Sequence, residues 1–289
     1  MKRLLICPSP RPEVASLAVA GPLATAPLLG QGLLEYWLSH LAGAGLKEAI
    51  ILADDRPDYI RAVAGNGERW GISVNVIEES RELSPSQALL KYESEFGAAQ
   101  NNIILLDRLP TQPDTPLFTS YRDWFRAVVA WMPHSKTPDR VGVHKLRPGV
   151  WAGSNWHISP KAELRPPCWL GKNVFVGPGA VVGPEAVIEN GAFIDRTAMV
   201  SHGIVGPDTF IGRFTEITGV FAWGDTLVQL DTGCAVKVAD PFLMCALRRP
   251  RAPQLQPAGF LTRLLELCSR NKTDAHLLWK QFLHPLERH

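Results

Sequence analysis

The chain has 289 residues, and 30 lysine and arginine residues nearly balance 28 aspartate and glutamate residues, so its net charge is only +2. This balance argues against a dedicated nucleic-acid or membrane-surface binder, which would carry a basic stripe. No apolar run approaches the roughly 20 residues that a membrane span needs, and the first one stops at Pro8, too early for a secretory signal. We therefore expect a cytoplasmic protein that binds neither nucleic acid nor membrane.

The first 135 residues alternate between short apolar runs and segments whose apolar residues have helical spacing. The pattern predicts strands at 4–7, 48–55, 72–79 and 101–107, and helices at 33–45, 57–71, 84–97 and 118–132. Strands that alternate with helices form a parallel sheet with helices packed on its faces. We therefore predict an α/β domain over residues 1–135.

Residues 136–157 are predicted to be a linker, and neither His134 nor His144 near its start has the spacing of a metal site. Four tryptophans surround this segment, and we expect them to pack the seam between two domains: Trp131, Trp151, Trp156 and Trp169.

A six-residue repeat occupies residues 158–222, and each unit opens with an aliphatic residue. The openings are Ile158, Leu164, Leu170, Val176, Val182, Ile188, Ile194, Val200, Val205, Ile211 and Ile217. Small residues dominate the fifth position, and the one slip is the five-residue unit 200–204. This period predicts a triangular coil of short flat strands with the aliphatic residues inside. It resembles the hexapeptide-repeat family, and the resemblance implies a left-handed parallel β-helix.

Residues 223–289 are predicted to form a hairpin that turns at 231–233, followed by two amphipathic helices. Arg248, Arg249 and Arg251 are expected to lie in a solvated connection. The apolar positions of the helices suit docking on this protein or a partner: Leu264, Leu265, Trp279 and Phe282. Phe214, Phe221 and Trp223 are predicted to cover the open end of the coil. We expect the chain to self-associate as a homo-oligomer.

Five cysteines are widely spaced and form no Cys-x-x-Cys pair: Cys7, Cys168, Cys234, Cys245 and Cys268. We predict reduced thiols that act as small buried hydrophobic side chains, and no disulfide framework or structural zinc site.

Several N-terminal segments resemble the sugar-1-phosphate nucleotidylyltransferases, which make nucleotide sugars. Residues 26–36 (APLLGQGLLEY) are similar to the family segment PLLPVANKPLLEY, and residues 41–52 (LAGAGLKEAIIL) to LAEAGVEEVVIV. Residues 103–107 (IILLD) resemble the strand that ends in a magnesium-binding aspartate. The resemblance implies a truncated nucleotidyltransferase-like, Rossmann-like sheet domain, followed by the β-helix and C-terminal helices.

The family's chemical positions have changed in this chain. The resemblance implies a Gly-Gly-x-Gly-Thr-Arg phosphate loop, a lysine after it, and magnesium held by two aspartates. The corresponding positions are occupied by Pro8, Ser9, Arg11, Pro12, Glu13 and Leu23, and only Asp107 remains of the metal pair. Prolines lack the N–H groups that a phosphate cradle needs. We therefore expect a catalytically inactive regulatory or structural subunit in nucleotide-sugar or polysaccharide metabolism, with no required cofactor.

Two alternatives remain open. One is an active nucleotidyltransferase with replacement groups and magnesium on Asp107. The other is a hexapeptide-repeat acyltransferase that uses acyl-coenzyme A and His202, in the five-residue unit, as general base. No histidine or carboxylate in the adjacent units is expected to orient His202. The candidate partners are a second copy, an active nucleotidyltransferase or polysaccharide-biosynthesis enzyme, and a weakly bound sugar nucleotide.

Overall fold

A computed structural model describes residues 2–96, 103–110, 115–134 and 143–247. The predicted C-terminal helices, the arginines 248, 249 and 251, and Cys268 lie outside these residues. No helix within the described ranges is both long and apolar enough to cross a membrane.

The N-terminal domain is built on four parallel strands. Its elements are β1 (Lys2–Ile6), β2 (Pro27–Leu28), β3 (Gln31–Gly32), α1 (Leu33–Gly43), β4 (Glu48–Ala53), α2 (Pro57–Ala64), β5 (Ser73–Glu78), α3 (Pro85–Phe96), β6 (Ile103–Leu105) and α4 (Tyr121–Trp131). The sheet has the order β5-β4-β1-β6, and β2 and β3 form a separate short hairpin. The predicted parallel sheet of strands alternating with helices is confirmed.

The central strands have the pattern that a sheet covered on both faces requires. Leu4, Leu5 and Ile6 of β1 are all buried, as are Ile50 and Ile51 of β4. A strand buried on both sides is a continuous apolar run, whereas a half-exposed strand alternates. The sequence of β1 therefore places it in the middle of the sheet.

The second domain is a parallel β-helix. Its strands are β7 (His144–Arg147), β8 (Val150–Ala152), β9 (His157–Ile158), β10 (Glu163–Leu164), β11 (Cys168–Leu170), β12 (Phe175–Val176), β13 (Val181–Val182), β14 (Ala186–Ile188), β15 (Phe193–Ile194), β16 (Met199–Ser201), β17 (Gly203–Val205), β18 (Thr209–Ile211), β19 (Glu216–Thr218), β20 (Val220–Trp223), β21 (Thr226–Gln229), β22 (Ala235–Lys237) and β23 (Met244–Ala246).

Successive coils contribute one strand to each of three faces. Face 1 contains β8, β11, β14, β17 and β20; face 2 contains β9, β12, β15 and β18; face 3 contains β10, β13, β16 and β19. These strands pair in parallel with the next coil. The strands β7, β21 and β22 extend face 1 in antiparallel pairing, and β23 does the same on face 2.

The interior of the β-helix follows the repeat. The opening aliphatic residues from Leu170 to Ile217 are buried, and so are the small residues Ala180, Ala192 and Ala198. The predicted triangular coil is therefore confirmed. The first coil starts at Val150, inside the predicted linker 136–157, because Ala152 takes the interior position that Leu170 takes one coil later. The repeat does not reveal this coil, because alanine occupies the position where later coils have a larger aliphatic residue.

The aromatic predictions are confirmed only in part. Trp131 and Trp169 are buried in a core shared by both domains, and Trp151 packs against it, but Trp156 is 40% exposed. Phe221 does not cover the end of the coil. It lies on the outside of face 1, where its ring centroid is 5.0 Å from that of Trp124 in α4.

Phe214 also fails to cover the coil end, because its side chain is 75% exposed. The cysteine prediction holds for Cys7 and Cys168, which are buried, whereas Cys245 is half-buried and Cys234 is exposed. The hairpin predicted around 231–233 is present as β21 and β22.

Candidate functional site

The carboxyl ends of the four parallel strands form the first candidate site. Ligands of open α/β sheets bind at this edge, because the loops that leave the strands meet there. The edge brings together the loop after β1, Asp54 after β4, Glu82 after β5 and Asp107 after β6.

The hydrogen-bond donors of the loop after β1 are paired with carboxylates of the same chain. Within Pro8–Ser9–Pro10 only Ser9 has an N–H group, and it donates to Glu82 Oε2 at 2.9 Å. The Arg11 guanidinium donates to both oxygens of Glu82, at 2.8 and 2.6 Å. The Ser9 hydroxyl donates to Asp54 Oδ2. A carboxylate of this chain therefore holds the donors that a phosphate would need.

Carboxylates lie close to the buried Cys7 thiol at this edge. Burial raises the pKa of the Cys7 thiol, and the negative charges of Asp54, Asp55 and Glu82 raise it further.

The remaining family positions carry no compensating cation. Leu23 is completely buried in the apolar core, so it cannot contact a ligand. Pro12 begins a 3₁₀ helix, Pro12–Ala18, and Glu13 is exposed in its first turn. In the loop after β5, Ser84 and Gln87 cap α3: the Ser84 N–H donates to Gln87 Oε1 at 3.1 Å, and the Gln87 N–H donates to Ser84 Oγ at 3.3 Å.

Asp107 does not fit a magnesium site. Its Oδ1 accepts a hydrogen bond from Arg108 Nε at 2.8 Å, so a cation already neutralises it. Across the described residues, no group of three or more histidine, cysteine, aspartate or glutamate side chains could hold a metal. Asp107, paired with Arg108, does not by itself supply the two-aspartate arrangement that the resemblance implies.

The second candidate site lies on the β-helix, at the corner between faces 3 and 1. His202 follows β16 at this corner, and Glu185 occupies the same corner one coil earlier. His202 Nε2 is 3.8 Å from Glu185 Oε2, within ion-pair range but longer than a hydrogen bond. Both side chains are about half exposed.

The backbone fixes this pair. His202 and Glu185 have φ values of 46° and 50°, in the left-handed region that sharp corners require. The His202 N–H donates to Pro184 O at 2.9 Å, which ties the two coils together beside the side chains. Ser201 Oγ and Thr218 Oγ1 lie 3.1 Å apart on the adjoining strands.

The carboxylate beside His202 is that of Glu185, which belongs to a unit that is not adjacent along the chain. The two residues are separated by one coil, the same separation that pairs Ala186 with Gly203 in the sheet. Counting one coil back from His202 along the repeat would have found Glu185. Neighbouring units lie on different faces, so a comparison of neighbouring units does not reveal this pair.

Comparisons with known proteins give little further direction. No protein-family model matches the chain, and no curated protein matches it. A mutant of perosamine N-acetyltransferase from Caulobacter crescentus, in complex with CoA and GDP-perosamine, is similar with 12% identity and a TM-score of 0.21. The match spans 61% of this chain and 92% of that protein.

PerB from Caulobacter crescentus, in complex with the same two ligands, has 12% identity and a TM-score of 0.20, covering 61% of this chain and 93% of that one. TM-scores this low do not indicate a shared overall fold.

Proposed function

We propose that the chain is an acyltransferase whose chemistry takes place at the His202–Glu185 corner, and that its α/β domain is not catalytic. The observation that carries this proposal is the 3.8 Å approach of Glu185 to an accessible imidazole. A general base needs access to its substrate and a group that stabilises its protonated form, and this corner supplies both. Catalytic hydrogen bonds are often long before the substrate binds.

The mechanism assigns one role to each side chain. With Nε2 turned towards Glu185, Nδ1 of His202 accepts the proton of an acceptor hydroxyl or amine as it attacks the thioester carbonyl of acyl-coenzyme A. The new C–O or C–N bond forms, the C–S bond breaks, and the imidazolium returns the proton to the leaving thiolate. The Glu185 carboxylate stabilises the imidazolium between these steps.

The acceptor in this proposal is a sugar or a sugar nucleotide. The sequence resemblance of the N-terminal domain to nucleotide-sugar enzymes supports this class. The α/β domain then acts as a support that packs on face 1, through Phe221 and Trp124, and leaves the corner open.

The test measures release of free coenzyme A from acetyl-coenzyme A with a panel of amino and neutral sugar nucleotides. We expect His202→Ala to lower kcat/KM by about 100- to 10,000-fold, the usual worth of a general base. Glu185→Gln keeps the shape and removes the charge, so kcat/KM should also fall, by a smaller factor than in His202→Ala. His144→Ala, an exposed histidine on β7, is the control and keeps full activity. Unchanged activity in His202→Ala contradicts the proposal.

A second candidate is the non-catalytic regulatory or structural subunit. The contacts of Glu82 with the Ser9 N–H and Arg11 favour it, because they close the sheet edge to phosphates. Turnover of a nucleoside triphosphate and a sugar phosphate, abolished by Asp107→Ala, would contradict this candidate and restore the active nucleotidyltransferase. Absence of coenzyme A release with every acceptor would leave this candidate as the better one.

A further inference from the structure

Face 2 of the β-helix carries a continuous column of outward-facing aromatic side chains. We name His157, Phe175, Phe193 and Phe210 the aromatic ladder; they are paired in register from β9 to β18. Their successive ring centroids are 5.1, 4.2 and 5.6 Å apart. The residue after each ring points inwards, so the ladder is the outer surface of this face.

The ladder continues into an exposed apolar patch at its Phe210 end. Phe214 and Phe242 are 75% and 83% exposed, and Leu243 and Leu247 are nearly half exposed. Backbone hydrogen bonds place the segment that contains Phe242, Leu243 and Leu247 beside the ladder. The Gly212 N–H donates to Leu243 O at 2.8 Å, and the Leu247 N–H donates to Asp208 O at 2.7 Å.

The other two faces differ from face 2. The outward side chains of face 1, including Trp169, Ile204 and Phe221, are buried in the core shared with the α/β domain. Face 3 presents Glu163 and Glu216, both exposed. Among the described parts of the chain, face 2 is therefore the face that combines aromatic side chains with access to solvent.

We propose that face 2 binds a second copy of this chain, ladder against ladder, about a two-fold axis. The first and second ring pairs are stacked within 11° of parallel, so their edges point outwards. A partner surface meets every ring only if it has the same spacing of one coil, and a second copy of the ladder has that spacing. A two-fold axis places the same patch on both sides of a contact.

The absence of charge from the ladder supports the same occupant. The ladder contains no aspartate, glutamate, lysine or arginine, so self-pairing opposes no like charges along it. The two exposed phenylalanines, the leucines and the ladder together offer on the order of 500 Å² of apolar surface. The largest apolar patch of a typical monomer is about 300–600 Å², and a standard interface buries about 800 Å² per partner, so the dimer contact must extend beyond the patch.

The test is sedimentation of the full chain over a wide concentration range. We expect a species of twice the chain mass of 31.8 kDa. Phe193→Glu places two like charges near the axis and should raise the dimer dissociation constant by about 100-fold or more. Phe242→Ser, at a side chain too exposed to affect folding, should raise it by a smaller factor. Leu90→Ser, at a 78% exposed residue of α3, is the matched control and should leave it unchanged.

Three results would overturn the proposal: a monomer at every concentration, a trimer, or association that neither face-2 variant weakens. Circular dichroism of Phe193→Glu separates a lost interface from a lost fold, and Phe242→Ser decides the matter if Phe193→Glu unfolds. The proposal does not depend on acyl transfer. If the chain dimerises but releases no coenzyme A, the dimer proposal still holds. If the chain is active as a monomer, the dimer proposal is wrong.

Discussion

Glu82 illustrates what a single side chain does at the edge of the sheet. Its carboxylate accepts from the Ser9 N–H and from Arg11, residues that lie more than 70 positions earlier in the chain. The prolines on either side of Ser9 could be read from the sequence as the loss of a phosphate cradle. The position of the Glu82 carboxylate beside this loop could not be read from the sequence, because only the folded sheet brings the loops after β1 and β5 together.

The first prediction concerns this contact. Glu82→Ala leaves the Ser9 N–H and the Arg11 guanidinium without their partner, and both are only partly exposed. We expect the free energy of unfolding to fall by about 1–2 kcal/mol, measured as a lower urea midpoint with an unchanged slope. Glu163→Ala removes an exposed ion pair with Arg165 and serves as the control with no measurable change. Equal midpoints for both variants would contradict the argument.

At the scale of elements, α3 is fastened to the end of β5 by one buried carboxylate. Glu79 accepts hydrogen bonds from Lys91 Nζ at 2.8 and 2.7 Å and from the Tyr92 hydroxyl at 2.5 Å. Burial alone would raise the pKa of Glu79, but these hydrogen bonds and the Lys91 charge outweigh it and lower the pKa below its usual 4.5.

The second prediction follows from the sign of this shift. A lowered pKa in the folded state gives stability that is fully present above pH 4.5 and is lost as the pH falls through the folded-state pKa. Lys91→Met should therefore cost about 1 kcal/mol at neutral pH, because Lys91 is half exposed. The difference from wild type should shrink in acid. Urea unfolding at several pH values measures it, and Lys145→Met, on exposed β7, should show no such dependence.

The third prediction concerns a corner of the β-helix. Gly183 has a φ of 101°, and a Cβ built on it would lie 1.8 Å from Arg165 O. Gly183→Ala therefore strains the backbone and also displaces the coil below, so we expect a loss of more than about 2 kcal/mol of unfolding free energy. Gly219→Ala is the matched control: its φ is 68°, but nothing lies within 4 Å, so it should cost about 1 kcal/mol. Similar unfolding temperatures for both would contradict the argument.

At the scale of the whole molecule, the two domains share one core. Trp169 and Phe221 of face 1 belong to the same buried cluster as Trp124 of α4. Polar contacts join the domains at a second place, where the Gly30 N–H donates to the buried Glu189 at 2.7 Å and Asn190 Nδ2 donates to Gly30 O at 2.8 Å.

The fourth prediction is that both domains unfold in one transition. Circular dichroism and tryptophan fluorescence should report the same midpoint. Phe221→Ala leaves a cavity between α4 and face 1, and we expect it to cost about 3–5 kcal/mol and to separate the two signals. Phe242→Ala, at an exposed side chain, should leave them together. Two transitions in the wild-type protein would contradict the shared core.

The β-helix could be predicted from the sequence, but its packing on the α/β domain could not. The interior aliphatic residues repeat every six positions, so the β-helix could be predicted from a local pattern. Glu185 and His202 are one coil apart along the repeat, so this pair could also have been predicted from the sequence. Phe221 against Trp124 was not, because the packing of one domain on another depends on surfaces that no local pattern describes.

The central claim is that chemistry occurs at the β-helix corner and not at the sheet edge, and a melting-temperature screen tests it most directly. Acetyl-coenzyme A at about 100 times its dissociation constant should stabilise the full chain by about 2.7 kcal/mol, a shift of about 5 °C. Nucleoside triphosphates with magnesium should give no shift. A shift with a nucleoside triphosphate and magnesium, and none with acetyl-coenzyme A, would contradict the account.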